Sequence, residues 1–334
     1  MGRNKKAVGV VLSVTTAAVL SACGTTTGSV AQNSSGHKPY TVAFINGDNI
    51  DPYFLTAWHG AYVEAQKLGV KLIENAPATF DYEQQAPIIE DMIARHVNAI
   101  ILSADSGTAL QPELLQAYKA GIPVIIVNQT QADMNNTPYA LSFISTSNTE
   151  LSRYGAQAMH SLIGGSGTTA VINSTAGLTS DIHRGTGYYA WMKSHAPGIK
   201  VLPMQFDQDS RSKADAIATD LMKANPQLKG IFAVDSFTGQ GVGVAIKAAG
   251  KEGQIKLVAI DAEPQEVTLM KQGIIQELIA QQPYHMGALA MQYAVDSITG
   301  HKSLIQRNVA PPPIIVTPQN LSRMDNVVYQ TWQP

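Results

Sequence analysis

Residues 41–68 read TVAFINGDNIDPYFLTAWHGAYVEAQKL: a short apolar run, then a polar turn, then an amphipathic segment. The run at 41–46 is rich in β-branched and aromatic residues, which is typical of a buried strand. Asp51 and Pro52 form a helix-start signal, because aspartate caps free backbone N–H groups and proline fits the first helical turn. Apolar residues then recur at helical spacing to residue 68. The stretch therefore predicts one strand–turn–helix unit of an α/β protein.

The same unit recurs along the chain. Further predicted strands are VKLIENA (70–76), AIILSA (99–104), VIIVN (124–128), ALSFIST (140–146), TTAVINS (168–174), IKVLPMQ (199–205), GIFAVD (230–235), KLVAID (256–261) and IQELIAQ (275–281). Apolar strands separated by helices, such as the helix predicted over 80–95, indicate parallel sheets covered on both faces. The units exceed one doubly wound domain and divide near 144–148 into halves of similar order. The predicted fold class is therefore α/β, with two doubly wound parallel-sheet lobes.

Polar side chains stand where these strands end, namely Asn46, Ser103, Asn128, Asn173, Asp235, Asp261 and Gln281. In open α/β sheets ligands bind beyond the carboxyl ends of the strands, so two facing lobes would form a cleft lined by these residues. Amides and carboxylates suit a ligand with adjacent hydroxyl groups. Because these residues include no basic cluster, phosphate or a polyanion is disfavoured as the main ligand.

Composition and motifs exclude several classes of function. The 334 residues include 23 Lys plus Arg against 25 Asp plus Glu, a balance that argues against a nucleic-acid binder. A single cysteine, Cys23, allows neither an internal disulfide nor a multi-cysteine zinc site. The glycine-rich 239–243 resembles a dinucleotide-binding motif, but Val244 stands where a third glycine is needed. We therefore predict no enzyme activity, no cofactor and no metal.

The N-terminal region resembles a bacterial lipoprotein signal. Residues 1–6 carry three basic side chains, and the apolar stretch 7–20 is too short for a transmembrane helix. LSAC (20–23) resembles a lipobox, which implies cleavage after residue 22 and a lipid on Cys23. Residues 24–39 are small and polar, typical of a tether. The prediction is a signal peptide over 1–22 and a lipidated cysteine with its tether over 23–39. The alternative is a buried cysteine behind an ordinary signal peptide.

The body resembles the periplasmic-binding-protein type I family, and within it the ribose- and galactose-type sugar-binding components of ABC transporters. The motifs that carry this resemblance are DPYF (51–54), KLGV (67–70), PATFD (77–81), AGIPV (120–124), RG (184–185), FD (206–207) and the aspartate of VAID (258–261). The match spans residues 41–317. It implies three hinge crossovers, placed near 144–148, 261–264 and 281–284. The implied lobes are 40–145 with 282–303, and 146–281 with 304–334.

The resemblance also implies a ligand site in the cleft. The predicted ligand-binding residues are Asp51, Tyr53, Phe54, Ser103, Asn128, Gln129, Phe206, Asp235, Asp261 and Gln281. The aromatic pair at 53–54 would stack on a sugar ring. The alternatives are that these rings are helix-start core residues, that Asp51 is only an N-cap and that Asp261 is a hinge carboxylate held by backbone N–H groups. Arg184 is expected to pair structurally with a carboxylate of its lobe.

Two departures from the ribose proteins favour a different neutral ligand. Asn128 and Gln129 stand where those proteins place Asp and Arg, and Ile182 falls where they carry a ligand-binding Arg. The predicted function is a monomeric, lipid-anchored, extracytoplasmic solute-binding protein that closes on a neutral sugar or polyol and delivers it to an ABC permease. The alternative is a lipoprotein that presents a sugar-like signal, a nucleoside or an autoinducer to a membrane receptor kinase.

Overall fold

The computed structural model describes residues 39–324 and 328–329, in which two sheets are each covered by helices. The predicted signal peptide, Cys23 and the tether up to residue 38 lie outside the described residues. The strands of the first sheet are β1 (Thr41–Ile45), β2 (Lys71–Asn75), β3 (Ala99–Leu102), β4 (Val124–Val127), β5 (Ser142–Ile144) and β12 (Asn308–Val309). Their order is β2-β1-β3-β4-β5-β12, and every neighbouring pair is parallel.

The second sheet repeats this order. Its strands are β6 (Gly167–Asn173), β7 (Ile199–Val201), β8 (Gln205–Phe206), β9 (Leu228–Ala233), β10 (Lys256–Ile260), β11 (Ile275–Ala280) and β13 (Ile314–Val316). The order is β7-β6-β9-β10-β11-β13, with β13 antiparallel and β8 paired to β6 beyond β7. The single strand predicted over 199–205 is divided in two, because Pro203 lacks the N–H that a continuous ladder needs.

The helices cover both faces of each sheet, as a doubly wound fold requires. They are α1 (Pro52–Leu68), α2 (Tyr82–Ala94), α3 (Gln111–Lys119), α4 (Asn148–Ile163), α5 (Thr179–His195), α6 (Arg211–Ala224), α7 (Ser236–Ala248), α8 (Pro264–Lys271) and α9 (Pro283–Ile298). Val42 and Phe44 of β1 pack in one core cluster with α1 and α9, whereas Ala43 and Ile45 pack on the opposite face with α2 and α3. The predicted fold class is confirmed.

Local signals set the ends of α1. The Asp51 carboxylate accepts a hydrogen bond from the Tyr53 backbone N–H at 2.7 Å, which satisfies one of the donors that a helix start leaves free. The helix ends at Gly69, whose φ of 67° lies in the left-handed region that glycine adopts without strain. No helix among residues 39–324 is long and apolar enough to cross a lipid bilayer.

The observed strand pairing differs from the prediction at one crossover and at one lobe boundary. The segment 261–264 links β10 to α8, and the strand that follows α8, β11, pairs with β10 in the same sheet. The segment therefore does not cross between the lobes. The chain instead crosses at 145–147, at 281–282 and at 310–313, because β12 still pairs with β5 of the first sheet while β13 pairs with β11 of the second. The first lobe therefore extends to Val309 rather than ending at residue 303.

Candidate functional site

A cavity of about 260 Å³ lies between the two lobes, beyond the carboxyl ends of both sheets. It opens at the positions where the strand order reverses, between β1 and β3 in one sheet and between β6 and β9 in the other. Such switch points separate the loops after adjacent strands and leave a crevice for a ligand. The predicted residues that line the cavity are Asp51, Tyr53, Phe54, Asn128, Asp235, Asp261 and Gln281.

Three predicted residues lie away from the cavity. The side chain of Gln129 is buried, and its Oε1 accepts a hydrogen bond from the Ala104 backbone N–H at 2.9 Å, which joins the ends of β4 and β3. Ser103 is completely buried in the same region. Phe206 ends the edge strand β8 and is 39% exposed, whereas Phe237 lines the cavity from the second lobe. Side chains next to a strand end alternate in direction, so neighbours in sequence do not all face the cleft.

Tyr53, Phe54 and Phe80 form an aromatic wall on the first-lobe side of the cavity. The rings of Tyr53 and Phe54 meet edge to face at 5.4 Å between centroids, and Phe54 lies nearly parallel to Phe80 at 6.1 Å. Gly47 lets the backbone pass close behind this wall, since a Cβ there would lie 2.5 Å from Phe80. Tyr53 and Phe54 belong to the core cluster, as one alternative drawn from the sequence expects, and they also line the cavity, where stacking on a ligand stays a prediction.

Asp51 acts as an N-cap and also faces the opposite lobe. Its carboxyl lies within hydrogen-bonding reach of the Glu263 carboxyl, which belongs to the second lobe. Burial raises the pKa of Asp51 well above its ordinary value, and the nearby carboxyls of Glu263 and Asp48 raise it further. Two carboxyls this close share a proton more readily than both ionise, so Asp51 can donate as well as accept hydrogen bonds.

A buried ion pair supports the second-lobe side. Arg184 and Asp181, one turn apart on α5, lie 3.0 Å apart between Nη1 and Oδ1, with both side chains only 5% exposed. Arg184 also donates to the Asn148 side chain and to the Val234 carbonyl, at 3.2 Å each. The expectation that Arg184 pairs with a carboxylate of its lobe is confirmed, and Arg184 also lines the cavity. Its neighbour His183 instead contacts Asp133 of the first lobe at 2.7 Å.

Two further carboxyls face the cavity from the second lobe. Asp235 caps α7 through Oδ1, which accepts from the Thr238 backbone N–H at 2.8 Å, and its buried Oδ2 has no partner among the described residues. Burial, and then the charge of Asp209, raise the pKa of Asp235 well above its ordinary value. Burial and the carboxyls of Asp181 and Asp48 raise the pKa of Asp209 to about 7.

Asp261 and Gln281 lie side by side where the second lobe meets the crossover. Gln281 Nε2 donates to Asp261 Oδ1 at 2.9 Å, which leaves Gln281 Oε1 buried and without a partner among the described residues. Among the described residues, the hydrogen bonds to the Asp261 carboxylate come from the side chains of Gln281 and Tyr329, whereas the alternative drawn from the sequence expected backbone N–H groups. Asp261 has φ of 85° and Asn128 has φ of 69°, in the left-handed region that is costly for residues with a Cβ. Such strain is commonly found where a binding site fixes a side chain.

The sequence reasoning missed other residues of the cavity. They are Asp48, Ile50, Thr79, Phe80, Ser174, Thr175, Leu178, Asp181, Arg184, Gln208, Asp209 and Phe237. Most lie in the loops after β1 and β6 or on the first turns of α5 and α7, and the spacing of Asp181 and Arg184 on one helix face was a signal that could have identified that pair. Within the described ranges, no three His, Cys, Asp or Glu side chains are placed to hold a metal ion.

Relatives with determined structures have the same architecture. An ABC transporter solute-binding protein from Agrobacterium vitis, bound with α-D-tagatopyranose, superimposes with a TM-score of 0.82 at 28% identity, over 87% of this chain and 99% of that one. A carbohydrate transporter solute-binding protein from Agrobacterium radiobacter, in complex with D-arabinose, superimposes with a TM-score of 0.81 at 29% identity over the same shares.

Sequence comparison leads to the same group of proteins. The D-allose-binding periplasmic protein of Escherichia coli is 28% identical over 253 residues, covering 74% of this chain and 81% of that protein. The ribose import binding protein of Bacillus subtilis is 24% identical over 310 residues, covering 92% and 97%. The periplasmic binding protein domain matches residues 42–302. The resemblance inferred from the sequence is thus confirmed, and the chain belongs to the periplasmic binding protein domain family.

Proposed function

We propose that this protein is the sugar-binding component of an ABC importer and that it holds a neutral monosaccharide in the cleft between its lobes. The observation that carries the proposal is a set of buried oxygen atoms that have no partner among the described residues. Asn128 Oδ1, Asp235 Oδ2 and Gln281 Oε1 all belong to residues that line the cavity. An unpartnered buried polar oxygen is costly, and the hydroxyl groups of a sugar, which both donate and accept, would satisfy all three.

The charge of the cavity supports a ligand without an anionic group. Arg184 is the single basic residue among the described cavity-lining residues, and its guanidinium is already paired with Asp181. A phosphorylated or carboxylated sugar would face Asp48, Asp209 and Asp235 without a free cation to balance its charge. The volume of about 260 Å³ favours one sugar ring over an oligosaccharide. The sugars bound to the relatives, which include tagatose, arabinose and allose, agree with this class.

Binding would be coupled to movement of the lobes. Asn128 belongs to the first lobe and Asp235 to the second, so a sugar that contacts both residues is bound most tightly when the lobes are together. Ligand binding then shifts the population toward the closed form, whose surface a membrane permease would recognise. We further propose that Cys23 carries a lipid that retains the mature chain at the outer side of the cell membrane.

Isothermal calorimetry on the mature chain tests the proposal. The panel contains D-allose, D-tagatose, D-arabinose, D-fucose, D-ribose and D-fructose, with an amino-acid mixture and purine nucleosides as the contrasting classes. We expect at least one sugar to bind with one site per chain and no binding in the contrasting classes. Binding of an amino acid or a nucleoside, with none of the sugars, would show that the proposed ligand class is wrong.

A further inference from the structure

Tyr329 lies near the C-terminal end of the described residues and contacts both lobes. The residue is 1% exposed, and its ring packs on Tyr53 of the first lobe at 5.7 Å between centroids. Its backbone N–H donates to the Ala262 carbonyl of the second lobe at 3.0 Å. The neighbouring Val328 packs against the core of the second lobe. Residues 328–329 therefore lie at the junction of the lobes, next to the cavity.

The Tyr329 hydroxyl joins two elements of the site. It donates to Asp261 Oδ1 at 2.9 Å and accepts from the Gln281 backbone N–H at 2.9 Å. Gln281 Nε2 donates to the same oxygen of Asp261. The hydrogen bonds found for this carboxyl among the described residues thus fall on Oδ1, which leaves Oδ2 for a ligand hydroxyl.

The position of Asp261 needs such support. Its φ of 85° is costly for a residue with a Cβ, and its carboxylate is buried among other charged groups. Among the described residues, Arg184 is the cation near it, and the other titratable groups near it are Asp181, Glu263, Glu266 and the hydroxyls of Tyr53 and Tyr329. A carboxylate in these surroundings keeps a single orientation only if its hydrogen bonds hold it there.

We propose that Tyr329 is a positioning residue of the binding site, whose hydroxyl holds the Asp261 carboxylate and the hinge residue Gln281 in the orientation that binds ligand. The proposal rests on the proposed function of the cavity, because it assigns Asp261 Oδ2 to the sugar. It gives Tyr329 a role in setting affinity, although this residue does not line the cavity.

The variant Tyr329→Phe tests this role, with Tyr188→Phe as the matched control. Tyr188 is also fully buried, and its hydroxyl bonds to Thr169 Oγ1 at 3.2 Å in the core of the second lobe. Each variant removes one buried hydroxyl, so both should lower the melting temperature. We expect Tyr329→Phe to weaken binding of the tightest sugar in the panel by about tenfold or more, as for the loss of a hydrogen bond to a charged group. Tyr188→Phe should leave that affinity within about twofold, since it touches no group of the site.

A second measurement does not depend on the ligand. Burial raises the pKa of Asp261 above its ordinary value, and the Arg184 guanidinium opposes this rise. The hydrogen bonds that the carboxylate accepts from Gln281 and Tyr329 oppose it as well. Tyr329→Phe should therefore raise this pKa, as measured by carbon-13 NMR titration of the full chain with the signal assigned through Asp261→Asn.

The two measurements separate the possible failures. Sugar affinity that is equal in Tyr329→Phe and wild type, or weakened equally by Tyr188→Phe, would overturn the positioning role while the proposed function stands. If no sugar in the panel binds, the proposed function fails, and the titration alone decides whether Tyr329 holds the carboxylate. An unchanged pKa of Asp261 in Tyr329→Phe would overturn the proposal in that case.

Discussion

The substitution Arg184→Met removes the cation of the buried ion pair and gives the sharpest test of how the site is held. Methionine fills similar volume, so the loss is mainly electrostatic. Asp181 would keep its hydrogen bonds from Ser174 and Ser180 but lose its charge partner at 3.0 Å. The Val234 carbonyl and the Asn148 side chain would each lose a donor. Breaking a buried pair from one side costs about 3–5 kcal/mol, and we expect the free energy of unfolding to fall by that amount at pH 8.

The pH dependence identifies the cause of this loss. Burial raises the pKa of Asp181 above its ordinary value, and Arg184 lowers it. Without Arg184 the pKa rises further, so the aspartate takes up a proton as the pH falls and no longer needs a cation. The destabilisation should therefore be larger at pH 8 than at pH 5.

Urea unfolding at both pH values measures the effect, with Arg153→Met as the control. Arg153 pairs with Glu150 on α4, but their side chains are 33% and 41% exposed. Partly exposed pairs contribute about 0.2–1 kcal/mol, so this variant should lose little stability at either pH. A loss in Arg184→Met that matches the control, or that is as large at pH 5 as at pH 8, would show that the unpaired charge of Asp181 is not its cause.

Other changes test the site, its electrostatics, its packing and the anchor. Asp261→Asn should weaken sugar binding about tenfold or more in calorimetry, because a ligand hydroxyl loses a charged acceptor; an unchanged affinity would remove Asp261 from the site. The raised pKa of Asp209, about 7 against an ordinary 3.8, means that its ionisation weakens the fold as pH rises, so Asp209→Asn should raise the melting temperature more at pH 8 than at pH 5. An equal shift at both pH values would contradict this. Gly287→Ala would place a Cβ 1.8 Å from the Ala57 carbonyl oxygen where α9 crosses α1. Urea unfolding should therefore show that the free energy of unfolding falls by about 1–3 kcal/mol or more, and wild-type stability would show that α1 and α9 accommodate the added methyl group without losing packing energy. Cys23→Ser should move the protein from the membrane fraction to the soluble fraction on immunoblots, and retention in membranes would exclude the lipid anchor.

Local signals in the sequence determined the repeating unit of the fold and much of the site. Helix α1 spans Pro52–Leu68 as predicted, because its cap, its proline and its apolar spacing all lie within a few residues. Seven of the ten predicted binding residues line the cavity, because the carboxyl end of a parallel strand can be located from the strand itself. The three that do not, Ser103, Gln129 and Phe206, depend on which way a side chain turns after a strand ends.

The passage of the chain between the lobes and the support of the cleft carboxylates depend on contacts between segments that are distant in the sequence. The crossover at 310–313 depends on which strands β12 and β13 pair with, and pairing partners leave no periodic signal in a single sequence. Tyr329 and Asp261 are 68 positions apart, and nothing local to either residue indicates their hydrogen bond. The sequence alone thus determined two matched α/β lobes with polar strand ends. Contacts between distant segments then decided which of these side chains face the cavity and what holds them there.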